Sequence, residues 1–542
     1  MKSTMMDRDL TLVHVLERAG TLFGDREVVS REPDGSISRT TYGSIYERSR
    51  RLAAALAGLG IQRGDRVATL GWNHARHLEA YFGVPVSGAV LHTVNPRLHI
   101  DDIAFIMRAA QDRTLLIDES LLPIVEELPA DARPEHVVVW ASTHADLPNG
   151  VLSYEELLAG SDEPMPYPDL SETDAASMCF TSATTGRPKG VVYSHRALVL
   201  HSIVSAMPDE FGISGHDVVM PVVPMFHVNA WGLPYTASLV GAELVLPGPS
   251  MDGASLLELI GSEGVTFTAG VPTVWVRVLE TIATDPGAYD LSALRTVLVG
   301  GAAASPALIE AFDELGPSVL HAWGMTETTP IGSVARLKPT LTSSSREEQV
   351  RLRATQGLPA PLVEIRAASP DGPVPWDGET MGELEVSGPW VTGSYLSGVG
   401  LDRFTDDGWL RTGDIAVIEP EGYVRIVDRA GDLIKSGGEW ISSLELENAL
   451  MEHPGVREAA VIAIPDDVWT ERPLAVVVPA VDPAPDEREL LDFLLARSAK
   501  WQVPDGVFFV DEIPKTATGK VSKRDLRERF AEHGTERGPG RS

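Results

Sequence analysis

Ten consecutive residues dominate the interpretation of this sequence: Thr181-Ser182-Ala183-Thr184-Thr185-Gly186-Arg187-Pro188-Lys189-Gly190. Hydroxyl and backbone N–H groups donate hydrogen bonds to phosphate oxygens, glycine lets the backbone approach closely, and lysine supplies a positive charge. The stretch therefore predicts a loop that binds the phosphates of a nucleotide. It is not a Walker A loop, which needs Gly-x-x-x-x-Gly-Lys followed by Ser or Thr. By composition alone, it also fits an ordinary polar surface turn.

Length and composition restrict the class of protein. A chain of 542 residues is too long for one compact core, so two or more domains are expected. A net charge of -32 argues against nucleic acid and anionic membrane surfaces as partners, although a local phosphate site remains compatible with it. The single cysteine, Cys179, excludes an internal disulfide and a cysteine-rich metal site. We find no apolar run of roughly 18 residues and no signal peptide, so we expect a cytoplasmic protein without an integral membrane segment.

Apolar strand candidates alternate with helical segments through most of the chain, which predicts parallel sheets covered by helices. Strands are predicted at residues 27–31, 38–41, 66–70, 89–92, 114–117, 137–140, 178–180, 218–223, 243–246, 266–269, 296–299 and 318–321. From Gly382 the chain changes to short alternating strands with glycine turns, which predict a small β subdomain. The remaining helices and strands predict a compact α+β module.

The predicted fold class is α/β with two domains. A large N-terminal domain, residues 1–429, combines parallel-rich sheets, covering helices and the β subdomain. A small α+β domain follows at residues 430–531. Residues 532–542 are polar and glycine-rich, so we expect them to be disordered.

Two short motifs at the ends of predicted strands suit a nucleotide. Trp323-Gly324-Met325-Thr326-Glu327 offers a ring that can stack on a base, a hydroxyl for phosphate and a carboxylate for Mg²⁺. The same residues equally fit a helix N-cap. Gly300-Gly301-Ala302-Ala303 presents small residues against which either a flat ring or a helix can lie. It lacks the Gly-x-Gly-x-x-Gly fingerprint of dinucleotide sites.

Two further motifs occur in the last third of the chain. Thr412-Gly413-Asp414 supplies a carboxylate that can accept hydrogen bonds from both ribose hydroxyls, although the same residues are common in turns. Ser436-Gly437-Gly438 lets the backbone approach a narrow ligand, and it also fits a plain β-turn.

The order of these motifs resembles that of the adenylate-forming enzymes, which include acyl-CoA synthetases, beetle luciferases and peptide-synthetase adenylation domains. The chain ends this series with Pro514-Lys515-Thr516-Ala517-Thr518-Gly519-Lys520, which is similar to the family's last signature. Three positions depart from the family pattern. Ala183 replaces a glycine in the phosphate loop, Trp323 replaces a tyrosine, and Gly431 replaces a lysine or aspartate.

The resemblance implies a role for each matching residue. Lys520 would bridge the substrate carboxylate and the α-phosphate, since a cation between two reacting anions lowers the barrier. Thr184 and Glu327 would hold Mg²⁺, Lys435 would be a further catalytic residue, and Gly431 would be the hinge of a mobile C-terminal lid. The residues implied to contact ATP or CoA are Thr181, Ser182, Thr185, Gly186, Lys189, Gly301, Ala302, His321, Trp323, Gly324, Thr326, Asp414, Arg429, Ser436, Gly437, Gly438 and Trp440.

The segment Pro221-Val222-Val223-Pro224-Met225-Phe226-His227-Val228-Asn229-Ala230-Trp231 resembles bacterial long-chain fatty acyl-CoA synthetases. In that group the matching tryptophan gates the acyl tunnel. The residues implied to form the acyl pocket are His227, Trp231, Val271, Thr273 and Gly301. An apolar wall suits an alkyl chain, because each buried CH₂ contributes about 0.8 kcal/mol.

The sequence thus predicts a ligase that uses ATP and Mg²⁺ to convert a fatty acid into acyl-AMP and then transfers the acyl group to CoA. Two alternatives stay open. The acid could be short, aromatic or sulfur-containing, because the depth of the tunnel is not visible in the sequence. The protein could also bind nucleotide and acyl ligand without turnover, as a sensor. The resemblance further implies a homodimer formed through the N-terminal domain.

Overall fold

The computed structural model describes residues 1, 3–141, 147–161, 166–181, 187–437, 439–466, 468–481, 483–515 and 521–530. The chain divides into two compact units. The first contains residues 1–181, Arg187–Glu364 and Ser387–Leu410, and the second contains Ile365–Val386 and residues 411–530. The predicted boundary between residues 429 and 430 stays a prediction. The predictions that lie outside the described residues concern Ser182, Ala183, Thr184, Thr185, Gly186, Gly438, Lys520 and the tail 532–542.

Strands and helices alternate along the first unit. Its strands are β1 (Glu27–Arg31), β2 (Ile37–Thr41), β3 (Arg66–Leu70), β4 (Val90–Thr93), β5 (Asp112–Asp118), β6 (His136–Trp140), β7 (Val151–Ser153), β8 (Ala175–Phe180), β9 (Gly190–Ser194), β10 (Val218–Pro221), β11 (Glu243–Leu246), β12 (Phe267–Gly270), β13 (Thr296–Val299), β14 (Ser318–Gly324), β15 (Ile331–Val334) and β16 (Leu358–Pro359). Its helices are Leu12–Leu22, Tyr42–Gly58, Ala75–Val86, Ile100–Ala110, Leu122–Glu127, Tyr154–Ala159, His195–Ala206, Leu233–Val240, Gly253–Ser262, Pro272–Thr284, Pro306–Leu315 and Arg346–Ala354.

Two sheets form the framework of the first unit. Within the described residues, one sheet has the order β16-β15-β14-β13-β12-β10-β11-β1-β2, and the other has the order β7-β6-β5-β3-β4-β8-β9. Pairing is parallel from β14 to β1 and from β7 to β8, and it is antiparallel at the remaining edges. All residues of β12 and β13 are buried, as expected for parallel strands covered on both faces. The predicted α/β fold is confirmed.

The second unit contains mainly antiparallel strands. One sheet has the order β18-β17-β19-β20-β21, and in the other β26 pairs with β25 of the order β23-β22-β25-β24. The strands are β17 (Glu364–Ser369), β18 (Gly372–Pro373), β19 (Gly382–Ser387), β20 (Leu410–Ile418), β21 (Val424–Arg429), β22 (Ile434–Ser436), β23 (Glu439–Ile441), β24 (Val456–Asp466), β25 (Thr470–Pro479) and β26 (Val507–Phe509). The helices are Ser443–Met451, Glu487–Leu495 and Lys523–Phe530. The strand predicted at Gly382–Ser387 is present with the same bounds.

One buried side chain ties the carboxyl ends of β3 and β10 together inside the first unit. Asn73 follows β3 and is 1% exposed. Its Nδ2 donates to Pro221 O and to Val223 O, both at 2.9 Å. Its Oδ1 accepts a hydrogen bond from Met225 N at 2.7 Å. The Asn73 amide therefore fixes the path of the chain that leads from β10 to His227.

Glu210 is a carboxyl group that the fold buries in the loop before β10. It is 5% exposed, and among the described residues its Oε2 has no hydrogen-bond partner. Burial raises the pKa of Glu210 to about 8, the nearby Arg336 opposes this shift, and Asp209 adds to it. The folded protein therefore holds a proton on this carboxyl group near neutral pH.

This proton makes the stability of the protein depend on pH. Because the folded pKa of Glu210, about 8, lies above the ordinary 4.5, its contribution is complete below about pH 4.5 and is lost as pH rises through 8. The loss between pH 7 and pH 9 is expected to be about 1.4 kcal/mol. A Glu210→Gln variant should lack this loss when thermal unfolding is measured across that range. The exposed neighbour provides a graded comparison, since Asp209→Asn removes only the smaller contribution of the Asp209 charge and should keep most of the wild-type slope. Equal slopes for wild type and Glu210→Gln would contradict the prediction.

Candidate active site

Hydrogen bonds between Thr181 and Lys189 hold the two ends of the predicted phosphate loop together. Strands β8 and β9 are antiparallel, and Phe180 pairs with Gly190. Thr181 N donates to Lys189 O at 2.9 Å, and Lys189 N donates to Thr181 Oγ1 at 3.1 Å. The loop thus connects two antiparallel strands, whereas a Walker A loop connects a strand to a helix. Strand β9 was not predicted from the sequence.

The carboxylate predicted to bind Mg²⁺ lies in a short 3₁₀ turn, Thr326–Thr328, after β14. Glu327 is 6% exposed, and Thr392 N donates to Glu327 O at 2.8 Å. The Tyr395 hydroxyl donates to Glu327 Oε1 at 2.7 Å. Among the described residues, the structure shows one hydrogen bond to the Glu327 carboxylate, and it is at Oε1. The Tyr193 hydroxyl also donates to Thr326 O at 2.8 Å.

Tyr395 connects this carboxylate with the lysine of the phosphate loop. Lys189 Nζ lies 4.9 Å from the centroid of the Tyr395 ring, and the ring packs edge-on against Phe404. Burial, reinforced by the adjacent Glu327 carboxylate, raises the pKa of Tyr395, so the phenol stays protonated and donates the hydrogen bond. Tyr395 was not predicted from the sequence. The signal available was a single aromatic side chain in residues 391–400, a stretch rich in glycine.

Two residues predicted to contact ATP or CoA, His321 and Trp323, lie on β14. His321 is buried, and its Nδ1 is 2.7 Å from Thr355 O. Burial lowers the pKa of His321 to about 4, so the imidazole is neutral at pH 7. The half-buried ring of Trp323 lies against Gly332, where a Cβ would come within 2.4 Å of Trp323 Cζ3. An apolar ring and a neutral imidazole are compatible with a base-binding site, whose ligand remains a prediction.

Glycine permits close backbone approaches at two predicted positions. A Cβ on Gly324 would lie 1.7 Å from Pro330 O, so no larger residue fits there. Gly301 has a φ of 78°, which glycine adopts without steric cost. Ala302, the next residue, is exposed. These features agree with small residues that face a flat ring.

The segment predicted to line the acyl pocket contains a left-handed helical turn, Val228–Trp231. The φ angles of Val228, Asn229, Ala230 and Trp231 are 44°, 52°, 50° and 55°, and Gly232 follows at 72°. This conformation costs about 1–2 kcal/mol for each L-residue. The strain must therefore be offset by contacts with the surrounding structure.

Contacts on both sides of the turn provide this support. The Asn229 amide donates to Ser177 Oγ at 3.2 Å, which anchors the turn to β8. Trp231 is 8% exposed, and its ring extends to the backbone of Gly300. A Cβ on Gly300 would lie 3.0 Å from Trp231 Cη2, so only glycine leaves full room for the ring. The strained turn thus places Trp231 beside the end of β13.

The other predicted pocket residues lie near the same edge of the sheet. His227 is half-buried and directly precedes the turn. Val271 and Thr273 are half-buried at the start of helix Pro272–Thr284, which follows β12. Strands β10, β12 and β13 are neighbours, and their carboxyl ends are the usual place for a ligand in an α/β sheet. The fold thus brings the predicted acyl-pocket residues to one edge.

Because the turn is left-handed, we expect substitution of alanine by glycine there to affect stability differently from the same substitution in an ordinary helix. In an ordinary helix, Ala→Gly costs about 1 kcal/mol, whereas in a left-handed conformation glycine relieves a strain of similar size. Ala230→Gly should therefore be less destabilising than Ala237→Gly, by about 2 kcal/mol, in urea unfolding. The comparison is matched, since both alanines are fully buried and Ala237 lies in the right-handed helix Leu233–Val240. Equal losses in the two variants would show that the turn is not strained.

In the second unit, two predicted ligand-binding residues form an ion pair. Asp414 on β20 pairs with Arg429 on β21, and Arg429 Nε lies 2.8 Å from Asp414 Oδ1. Asp414 is 2% exposed, whereas the Arg429 side chain is about half exposed. The ion pair orients the carboxylate that the sequence predicted for the ribose. Gly431 follows these strands, and a Cβ on it would meet no atom within 4 Å. Its predicted role as a hinge stays a prediction.

The hairpin of β22 and β23 carries Lys435, predicted as a catalytic residue, and Ser436, Gly437 and Trp440, predicted to contact ATP or CoA. Lys435 pairs with Trp440, and Lys435 Nζ lies 5.5 Å from the Trp440 ring centroid. Ser436 Oγ accepts a hydrogen bond from Arg472 Nη1 at 3.0 Å. Gly437 has a φ of 61°, which glycine tolerates. Lys435 and Trp440 are exposed, so both remain accessible to a ligand.

Comparison with known proteins identifies the family. The profile of the AMP-binding enzyme family matches residues 16–396, and that of its C-terminal domain matches residues 445–520. These matches cover more than half of the chain. The chain belongs to the AMP-binding enzyme family. The predicted membership of the adenylate-forming enzymes and the predicted class of acid–thiol ligase are confirmed.

Individual relatives extend over nearly the whole chain. A long-chain-fatty-acid–CoA ligase from Thermus thermophilus is 53% identical over 533 residues, which cover 97% of each chain. A 3-methylmercaptopropionyl-CoA ligase from Ruegeria lacuscaerulensis is 45% identical and covers 98% of this chain and 99% of its own. The crystal structure of an anthranilate CoA ligase in complex with anthranoyl-AMP has a TM-score of 0.86 at 26% identity, covering 98% of this chain and 99% of its own. No helix in the part of the chain that the structure describes is long and apolar enough to cross a membrane.

Proposed function

We propose that this enzyme is a fatty-acid–CoA ligase that forms an acyl-adenylate intermediate. One observation carries the proposal. The first unit holds Lys189 and Glu327 on a common side chain, Tyr395, and the strained turn places Trp231 at the edge where the predicted acyl pocket lies. A cation and a carboxylate in one place suit MgATP, and an aromatic, largely apolar neighbourhood suits an alkyl chain.

The first half-reaction joins the acid to AMP. A carboxylate oxygen of the fatty acid attacks the α-phosphorus of ATP, and the bond to the β-phosphate oxygen breaks to release pyrophosphate. Lys189 would neutralise phosphate charge at the loop, and Glu327 would hold the Mg²⁺ that accompanies ATP. Lys520 would stabilise the charge that develops between the carboxylate and the α-phosphate.

The donor set of this chain fits a metal ion that arrives with the nucleotide. No group of three or more His, Cys, Asp or Glu side chains that could hold a metal occurs in the described ranges. Mg²⁺ commonly binds proteins through one or two carboxylates, together with substrate phosphates and water. The Oε2 atom of Glu327 offers one such oxygen. The predicted partner Thr184 lies outside the described residues.

The second half-reaction transfers the acyl group to CoA. The thiol sulfur attacks the acyl carbonyl carbon, the bond to the AMP phosphate oxygen breaks, and the thiol proton passes to solvent. The glycine-rich hairpin at Ser436 and Gly437 would receive the pantetheine arm, because small residues let it approach the backbone. Gly431 would serve as the hinge about which the C-terminal lid moves between the first and the second half-reaction.

A sulfur-containing short acid is the second candidate substrate, and the relative from Ruegeria lacuscaerulensis favours it. The relative from Thermus thermophilus, with the higher identity, favours a long-chain acid. The two substrates place different demands on the acyl pocket. About twelve additional buried CH₂ groups would contribute about 10 kcal/mol to the binding of a long chain in a pocket of matching depth.

The decisive experiment measures AMP and acyl-CoA by mass spectrometry. Purified protein would be incubated with MgATP and a panel of acids from C4 to C18, benzoate and 3-methylmercaptopropionate, with and without CoA. Formation of AMP and acyl-CoA from C12–C18 acids would establish the proposal. If the enzyme preferred 3-methylmercaptopropionate, the short sulfur-containing acid, and not a fatty acid, would be its substrate. ATP binding without release of AMP from any acid would favour the sensor.

A further inference from the structure

One side chain that the sequence motifs do not include touches both predicted ATP-binding groups of the first unit. Tyr395 is 3% exposed, and its hydroxyl donates to Glu327 Oε1 at 2.7 Å. On its ring face, Lys189 Nζ lies 4.9 Å from the centroid. The residues Lys189, Glu327 and Tyr395 are distant in sequence and come together only in the folded chain. Tyr395 therefore lies between the cation of the phosphate loop and the predicted ligand of Mg²⁺.

The segment around Tyr395 is fitted closely to both partners. Thr392 N donates to Glu327 O at 2.8 Å, so this segment also holds the backbone of the carboxylate residue. Gly400 has a φ of 65°, and a Cβ on it would lie 3.0 Å from Lys189 Nζ and 3.2 Å from Tyr395 Cδ2. A glycine at this position leaves room for the lysine to lie over the ring. The segment thus contacts Glu327 at two points, and it contacts Lys189 through the Tyr395 ring.

We propose that Tyr395 is a positioning residue that directs Glu327 Oε2 toward the Mg²⁺ of MgATP and holds Lys189 at the phosphate loop. This inference rests on the proposed function, since it assigns Glu327 and Lys189 to ATP. The hydrogen bond occupies Oε1 and thereby fixes the rotation of the carboxylate, which leaves Oε2 for the metal. Groups that orient a metal-binding side chain in this way typically contribute 10–100-fold to metal affinity or activity.

The hydroxyl group and the aromatic ring of Tyr395 are expected to contribute separately to nucleotide binding. In the described part of the chain, the hydroxyl donates its hydrogen bond to the carboxylate, so its removal should weaken the effect of Mg²⁺ while leaving the lysine in place. The ring contacts the lysine, and a cation over an aromatic face contributes a few-fold to about 30-fold in affinity. Removal of the whole ring should therefore also weaken the binding of ATP without metal. These two expectations distinguish orientation of the site from a general loss of packing.

The test measures binding of α,β-methylene-ATP, which cannot donate its AMP group to an acid, by isothermal titration calorimetry with and without Mg²⁺. In Tyr395→Phe, the gain in affinity that Mg²⁺ provides should fall by about 10-fold, whereas metal-free affinity should stay at the wild-type value. Tyr193→Phe is the matched control, since the Tyr193 hydroxyl is also buried but donates to the backbone oxygen of Thr326. It should keep the wild-type gain from Mg²⁺.

A second variant separates the contribution of the ring. Tyr395→Leu should lose the gain from Mg²⁺ and should also bind metal-free nucleotide about 3- to 10-fold more weakly. An unchanged gain from Mg²⁺ in Tyr395→Phe, or an equal loss in Tyr193→Phe, would overturn the proposal. Because the nucleotide analogue cannot turn over, this result does not depend on formation of acyl-CoA. The proposed function has its own test, because it would be contradicted if the wild-type protein formed no AMP with any acid.

Discussion

A Lys520→Ala variant is expected to form acyl-AMP about 10²–10³-fold more slowly than the wild-type protein, the usual cost of losing one preorganised charge partner. The fatty carboxylate and the α-phosphate are both anions, and they must come into bonding contact. A lysine between them lowers the electrostatic part of the barrier. Transfer of the acyl group from supplied acyl-AMP to CoA involves a neutral carbonyl and a thiol, so it should be largely spared. The two half-reactions would be followed separately by release of pyrophosphate and by formation of acyl-CoA.

The described residues on either side of residues 516–520 pair with each other in the second unit. Lys515 pairs with Val521, and Ser522 N donates to Pro514 O at 2.8 Å. Lys515 Nζ is held by Glu458 at 3.1 Å. Lys515→Ala is therefore the matched control, and it should keep the rate of adenylation within about twofold, because partly exposed ion pairs contribute little. Equal losses in both half-reactions of Lys520→Ala would show that the assigned role is wrong.

The parallel sheets could be predicted because their strands carry their own signal. Strands β11 and β13 have the predicted bounds, since a short apolar run buried on both faces differs clearly from its surroundings. Strand β10 ends at Pro221, two residues before the predicted end. The reason is that the Asn73 side chain donates hydrogen bonds to the carbonyl groups of Pro221 and Val223. These carbonyl groups are then not used for further pairing between strands. That contact joins residues about 150 positions apart, so no local pattern reveals it.

In the candidate site, too, local motifs could be predicted from the sequence, whereas features that depend on distant contacts could not. Motif order was sufficient to predict the family, because short motifs carry their chemistry in sequence. The roles assigned to the residues of those motifs stay predictions. The left-handed turn at Val228–Trp231 was not predicted, since valine and alanine disfavour that conformation in isolation. It depends on contacts such as Asn229 with Ser177, 52 residues earlier. Tyr395 was missed for the same reason, because its partner Glu327 is 68 residues away.

Replacement of Asn73 by alanine is expected to lower the free energy of unfolding of the first unit by about 3–5 kcal/mol. The side chain is 1% exposed and satisfies three backbone groups that are themselves buried, at Pro221, Val223 and Met225. Each buried polar group that loses its partner costs about 1–3 kcal/mol. Local relaxation and the entry of water should reduce the sum below the full total of three such groups.

The same change should also weaken the acyl site, because the segment fixed by Asn73 continues directly into His227 and the strained turn. The strain in Val228–Trp231 is offset only while the preceding chain is held, so loss of the Asn73 hydrogen bonds should favour a relaxed turn and move Trp231. Urea unfolding would measure the loss of stability, and Asn95→Ala is the control, since this partly exposed amide accepts one hydrogen bond, from Arg97 N. Asn95→Ala should cost less than about 1 kcal/mol. If Asn73→Ala were as mild as this control, the buried amide would not be what connects β3 to the segment after β10, and the position of Trp231 would require another explanation.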